Sequence, residues 1–246
     1  MPAEFLLERD HILPATPDAV WHAVATAPGT RGWLYPMDVE PRVGGTVSRG
    51  PATVTAWNPP RTFACRYADH TGFSNTLSYD LKPHDTHTTT HLHMSIHWVH
   101  EGQPDDGWNT RADAATRYAD FYHHSLHEYL AHFHGLPTAY IRADRPAPTP
   151  DATTQFTRIL HAIGVPDTKG RGDHVVFAPE GMPPQDAVID YRDTDFLGLR
   201  TTDGLYRFYN GASWNWPLWI GHHRYGPVDT ATETDAWTAW LDKVTS

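Results

Sequence analysis

Cysteine is almost absent. Cys65 is the only one in 246 residues, so no internal disulfide can form. Lysine is confined to Lys82, Lys169 and Lys243, and the formal net charge of -10 has no local basic cluster to offset it. That balance argues against a nucleic-acid backbone or an anionic membrane as a main partner. No apolar window approaches the roughly 20 residues that span a bilayer, so no membrane partner is expected. The N-terminal MPAEFLLERDHIL carries acidic residues where a secretory signal has basic ones and then an apolar run, which predicts a cytoplasmic location. Also missing are a Gly-x-Ser-x-Gly elbow, a Walker loop, a dinucleotide fingerprint and a His-Glu-x-x-His pair, and no cofactor is expected.

What is present is aromatic. With 39% hydrophobic and 12% aromatic residues the chain is globular, and its length suits two units that each have a core. The longest helical pattern runs from Arg111 to Phe133, where Tyr118, Tyr122, Leu126, Tyr129 and Phe133 recur at spacings of three and four. Thr110 is the expected N-cap, and Gly135 followed by Pro137 stops the run. Such a helix needs a broad apolar surface to lie against, because packing stabilises most helices.

The chain before it supplies a sheet. Phe5 to Leu13 reads as a first strand, Asp18 to Thr26 as a short helix, and Asp38 to Arg42 as a short strand before the Gly44-Gly45 corner. Thr46 to Trp57, the stretch around Phe63, Cys65 and Tyr67, Ser74 to Lys82, and Thr86 to Trp98 follow as strands. In the last, Leu92, Met94, Ile96 and Trp98 share one face while His91, His93, Ser95 and His97 share the other, as in an antiparallel sheet with one wet side. The predicted class is α+β: an antiparallel sheet wrapped around a long C-terminal helix.

Several stretches, in order and spacing, carry a family resemblance: Pro17-Asp18-Ala19-Val20-Trp21, Gly32-Trp33, Glu40-Pro41-Arg42-Val43-Gly44-Gly45, Trp57-Asn58-Pro59-Pro60-Arg61 and Gly107-Trp108. They resemble the SRPBCC or START-like superfamily, and within it the branch related to the C-terminal domain of the activator of Hsp90 ATPase. The resemblance covers residues 1 to about 135, and it departs at the histidine-rich last strand. It implies a helix-grip fold with a hydrophobic small molecule held between sheet and helix.

The expected domains are residues 1–138 as the helix-grip unit, 139–150 as a Pro-rich linker, and 151–246 as a second α+β unit. That second unit reads as an abbreviated copy of the first without an opening strand. It opens with a helix, Thr153 to Ile163, continues in five strands between Val175 and Tyr225, and closes with a helix from Asp229 to Val244.

The expected cavity lining in the first unit is Phe63, Tyr67, Tyr79, Met94, Tyr118, Tyr122 and Leu126, and Trp33 and Trp108 are expected to bind the ligand with them. Rings with hydroxyls suit a mostly apolar ligand with a few polar atoms, although the same side chains would equally fill a solid core. For acid–base work the candidates are Tyr67, Tyr79, Tyr122 and Asp120. Helix residues His123, His124, His127, Glu128 and His132 have spacings seen at metal sites, but the pattern fits a solvated face better, and no metal is expected. His87, His91, His93 and His97 belong on the sheet's outer side, and His222-His223, near a strand end beside the Trp214-Asn215-Trp216 loop, either face a cleft between units or, the favoured reading, belong to an ordinary surface. Three functions follow: a binder of a hydrophobic or aromatic small molecule, an enzyme of cyclase, aromatase or hydrolase type in the same cavity, and a protein-interaction module related to chaperone ATPase activators.

Overall fold

The computed structural model describes residues 2–85, 88–146 and 151–246, and divides into two compact units, Met1–His134 and Gly135–Ser246. His87, the first residue of the expected strand at Thr86, and residues 147–150 of the Pro-rich stretch lie outside the described residues.

The first unit runs β1 (Ala3–Leu13), α1 (Pro17–Ala25), α2 (Ala27–Thr30), β2 (Thr46–Val47), β3 (Ala52–Asn58), β4 (Thr62–Ala68), β5 (Phe73–His84), β6 (Thr89–His100) and α3 (Trp108–His132). Helix α1 starts where Thr16 caps it and Pro17 occupies its first turn, a position that needs no N–H. The sheet order is β1-β6-β5-β4-β3-β2, antiparallel throughout, so the first strand pairs with the last one before the long helix. Three expectations are corrected. Asp38 to Arg42 is no strand, with only Val39 bridging Val47. Thr46 to Trp57 is broken into two strands by a turn in which Gly50 takes φ +65°. The long helix begins at Trp108 behind Gly107, which caps it with no side-chain bond, so Thr110 lies inside the first turn.

Glu40-Pro41-Arg42-Val43-Gly44-Gly45 closes a turn on itself. The Glu40 carboxylate accepts from the Thr46 N–H at 2.8 Å, and a Cβ on Gly45 would stand 2.6 Å from the Glu40 carbonyl oxygen. The dry face of the sheet is covered by α3, which buries Tyr118, Phe121, Leu126, Tyr129 and Leu130. On the wet face the half-exposed histidines of β6 meet carboxylates of β1: His91 and His93 lie 3.0 and 3.1 Å from Asp10, and His97 lies 3.7 Å from Glu4. Pairs this exposed contribute a few tenths of a kcal/mol, up to about 1.

The second unit runs β7 (Thr138–Asp144), α4 (Ala152–Ala162), β8 (His174–Phe177), β9 (Gln185–Arg192), β10 (Phe196–Arg200), β11 (Gly204–Tyr209), β12 (Trp219–Tyr225) and α5 (Thr230–Val244). Its sheet order, β7-β12-β11-β10-β9-β8, repeats that of the first sheet strand for strand. The opening strand is therefore present, and the first half of the expected 139–150 linker belongs to it: Thr138 to Asp144 pair with Tyr225 to Trp219. TAYIRAD turns Ala139, Ile141 and Ala143 inward, and with one large apolar residue its alternation is weak in sequence. Asp229 caps α5 by accepting from the N–H groups of Ala231 and Thr232. At the centre of this sheet Arg207 makes a fully buried bidentate pair with Asp190 at 3.0 and 2.8 Å. The architecture is α+β, a helix-grip unit followed by a smaller unit of antiparallel strands with a terminal helix. Among the described residues no helix is long and apolar enough to cross a membrane.

Candidate functional site

A cavity of about 130 Å³ lies between the first sheet and α3. The helix contributes Ala115, Tyr118, Ala119, Tyr122 and His123, which fall on one stripe by the three-and-four spacing of a helix. Ala115 and Ala119 supply the small positions of that stripe, where larger side chains would fill the space. Leu77 and Tyr79 of β5 and Ile96 and Trp98 of β6 form the opposite wall. Trp33, Leu34 and Tyr35 close one side from the segment after α2, and Arg49 enters from the β2–β3 turn as the only residue with a permanent charge in the lining.

His123 gives this wall its chemistry. It is buried at 4% exposure, and its Nδ1 lies 2.7 Å from the carbonyl oxygen of Ala119. A carbonyl only accepts, so the proton sits on Nδ1, and Nε2 is a buried lone pair with no hydrogen-bond partner. The ring stacks on His11 with centroids 4.9 Å apart and 11° between planes, and it meets Trp33 and Tyr79 at 5.9 and 6.0 Å. Burial, helped by His11, depresses the imidazole to a pKa of about 4, so it is neutral near pH 7. Burial also pushes the Tyr79 hydroxyl well above the ordinary tyrosine range, which keeps it a neutral donor.

Of the nine residues expected at the site, Trp33, Tyr79, Tyr118 and Tyr122 line the cavity and the other five do not. Phe63, Met94 and Leu126 have no exposed surface and fill the core around it. Trp108 packs on Trp98 and Phe73 with centroids 5.8 and 6.2 Å apart, behind the wall. Tyr67 is half-buried, its ring tilted at 55° to that of Phe73 with its hydroxyl 3.4 Å from Asp69. Asp120, a candidate acid–base group, is engaged by Arg9 of β1 at 2.8 and 3.3 Å and is not part of the lining. Trp98 and Ile96 were findable from the alternation they share with Met94; Arg49, in a turn, carries no such signal.

The histidines of α3 separate. His123 is inside while His127 is exposed, and Glu128 lies 3.6 Å from His127 and 3.7 Å from His132. Among the described residues no three His, Cys, Asp or Glu side chains are grouped to hold a metal. His222 and His223 are not on a surface: both are buried in the second sheet, where His222 Nδ1 accepts the N–H of Arg207 at 3.0 Å.

The chain matches no protein-family model and no curated protein. Among solved structures it is similar to DynU16 from the dynemicin biosynthetic locus, at 12% identity and a TM-score of 0.42, over 98% of this chain and 95% of that one. It is similar to the di-domain ARO/CYC BexL from the BE-7585A biosynthetic pathway, at 13% identity and a TM-score of 0.43, over 97% and 90%. CalU16 from Micromonospora echinospora matches at 15% identity and a TM-score of 0.37, over 51% of this chain and 86% of that one.

Proposed function

We propose that this chain is a START-like protein that binds a small aromatic molecule, one ring wide, between the first sheet and α3. The observation that carries the reading is the cavity itself: about 130 Å³, walled by Trp33, Tyr79, Trp98, Tyr118 and Tyr122. An apolar cavity of roughly 150 Å³ is enough for benzene. Arg49 and the tyrosine hydroxyls at the same wall favour a guest with one or two polar atoms, such as a phenol. Within the superfamily the Hsp90-activator branch is supported by the Glu40 to Gly45 string. Because that string closes a structural turn, it speaks for kinship and not for a chaperone partner.

Thermal melting and calorimetric titration with phenol, 4-methylphenol and indole test the proposal. Ala119→Leu, which puts a branched side chain into the space, serves as the blocked control. Binding at about 100 times Kd stabilises by about 2.7 kcal/mol, a shift of several degrees for a unit of this size. No shift with any of the three, or an equal shift in Ala119→Leu, refutes it.

A second reading, a cyclase- or hydrolase-type enzyme, is favoured by His123. A buried neutral imidazole with an unpartnered nitrogen is a general base in waiting, and Arg49 is placed to offset the negative charge that proton removal leaves on a guest. On this hypothesis His123→Phe retains guest binding and abolishes turnover. Retained turnover in that variant removes His123 from the chemistry.

A further inference from the structure

The second unit holds a larger space in the corresponding place, between its sheet and its terminal helix, with a volume of about 500 Å³. Phe177, Tyr206 and Trp237 form its buried aromatic floor, Met182 borders it, and it opens beside the exposed residues Pro183, Thr202 and Ala236. Three charged side chains reach it. Arg224 of β12 donates from one terminal nitrogen to both oxygens of Glu233 on α5, at 2.9 and 2.8 Å, and from the other to Asp203 in the β10–β11 turn at 2.9 Å. Its guanidinium carbon stands 5.5 Å from the centre of the Tyr206 ring.

The wall thus carries two carboxylates against one guanidinium, a surplus of one negative charge in a partly desolvated place. Each carboxylate oxygen can accept twice. Glu233 gives each oxygen once to Arg224, and Asp203 gives one to Arg224 and the other to the Thr201 hydroxyl at 2.9 Å, so accepting capacity remains at both. Burial raises the Glu233 carboxyl above its usual range in spite of the adjoining arginine, so the charge there is under-compensated. An anion entering this space meets the surplus of like charge, and a neutral guest leaves it uncompensated. A cation relieves it, and the electron-rich ring of Trp237 in the same lining favours a cation further.

We propose that this cavity is a second ligand site, and that it takes an organic amine, a protonated nitrogen on an apolar or aromatic body, with the nitrogen at Asp203 and Glu233 and the body on Phe177, Trp237 and Met182. The site is separate from the one proposed for the first unit, and its test is arranged to keep the two apart.

Calorimetric titration of the full chain in the Ala119→Leu background, with the first cavity filled, uses three probes of one shape: 2-phenylethylamine, 2-phenylethanol and phenylacetate. The amine is expected to bind one to one, with the alcohol and the acid at least tenfold weaker. Glu233→Gln is expected to weaken the amine at least tenfold. Ala236→Trp, which closes the mouth and leaves all three charges in place, is expected to abolish binding. That variant decides the matter alone if Glu233→Gln does not fold. No heat from the amine, equal binding of the alcohol, or amine binding that survives Ala236→Trp overturns the proposal. Each of these results leaves the reading of the first cavity intact, since that reading is measured with phenols on the unblocked chain.

Discussion

His123 makes the first unit sensitive to acid in a way that one substitution should expose. In the native state its imidazole titrates at about 4, against 6.5 when free of the fold. Above 6.5 the ring is neutral in both states and contributes nothing to pH dependence. As pH falls below 6.5 the unfolded chain takes up a proton that the native chain refuses, so stability declines until the native ring also protonates near 4. At about pH 5 the loss relative to about pH 7.5 is about 2 kcal/mol from this residue alone. The groups around it are His11 and Arg9 on β1, Tyr79 on β5 and Asp120 on its own helix. Burial also depresses His222, which lies in the second sheet, outside the substituted unit, and cancels in the difference, and His11, which stacks on His123, so the His11→Phe background is the control that isolates the His123 contribution.

His123→Phe keeps a ring in the wall and removes the titration. It forfeits the bond to the Ala119 carbonyl, worth about 1 kcal/mol, so stability at about pH 7.5 should change by no more than about 1.5 kcal/mol. Urea denaturation at the two pH values is the assay, and the variant is expected to lose about 2 kcal/mol less than wild type on acidification. The His123 ring resonance in NMR should stay fixed down to about pH 5. Equal acid losses in the two proteins, or a His123 resonance that titrates near 6.5, refute the argument that burial holds this ring neutral.

The buried pair of the second unit offers another test: Asp190→Ala strands the Arg207 guanidinium and should cost about 3–5 kcal/mol by denaturation, whereas replacing both partners with apolar residues of similar volume should cost far less. A Cβ at Gly198 would stand 2.3 Å from an Asp190 oxygen and 2.7 Å from an Arg207 nitrogen, so Gly198→Ala should destabilise the same unit, read as a lowered melting temperature. Leu126, with no exposed surface, fills the core beside the cavity, and Leu126→Ala should cost about 2–5 kcal/mol without removing binding of a phenol.

The long helix was legible because its tyrosines and leucine repeat at helical spacing and Gly135 with Pro137 end it, signals that survive any tertiary context. Its start was not, since Gly107 caps it without a side-chain bond and Thr110 offered a false cap. The site was half legible for a similar reason. Phe63, Met94 and Leu126 point to the same interior as Tyr79 and Tyr118, and periodicity tells which way a side chain faces but not whether room is left beside it. The room comes from Ala115 and Ala119, residues whose small size reads in sequence only as helix propensity. The four-residue spacing of His123 and His127 suggests a shared polar face, whereas the position of His123 four after Ala119 and three before Leu126 places it inside.

Strand β7 bears on where this chain can be divided. A fragment starting at residue 151 lacks it, leaving the N–H and C=O groups of Trp219 to Tyr225 that face β7 without their ladder, an edge of the kind that recruits other chains. A fragment starting at Gly135 carries its own border strand. The shorter piece should self-associate in light scattering, and the longer one should remain monodisperse.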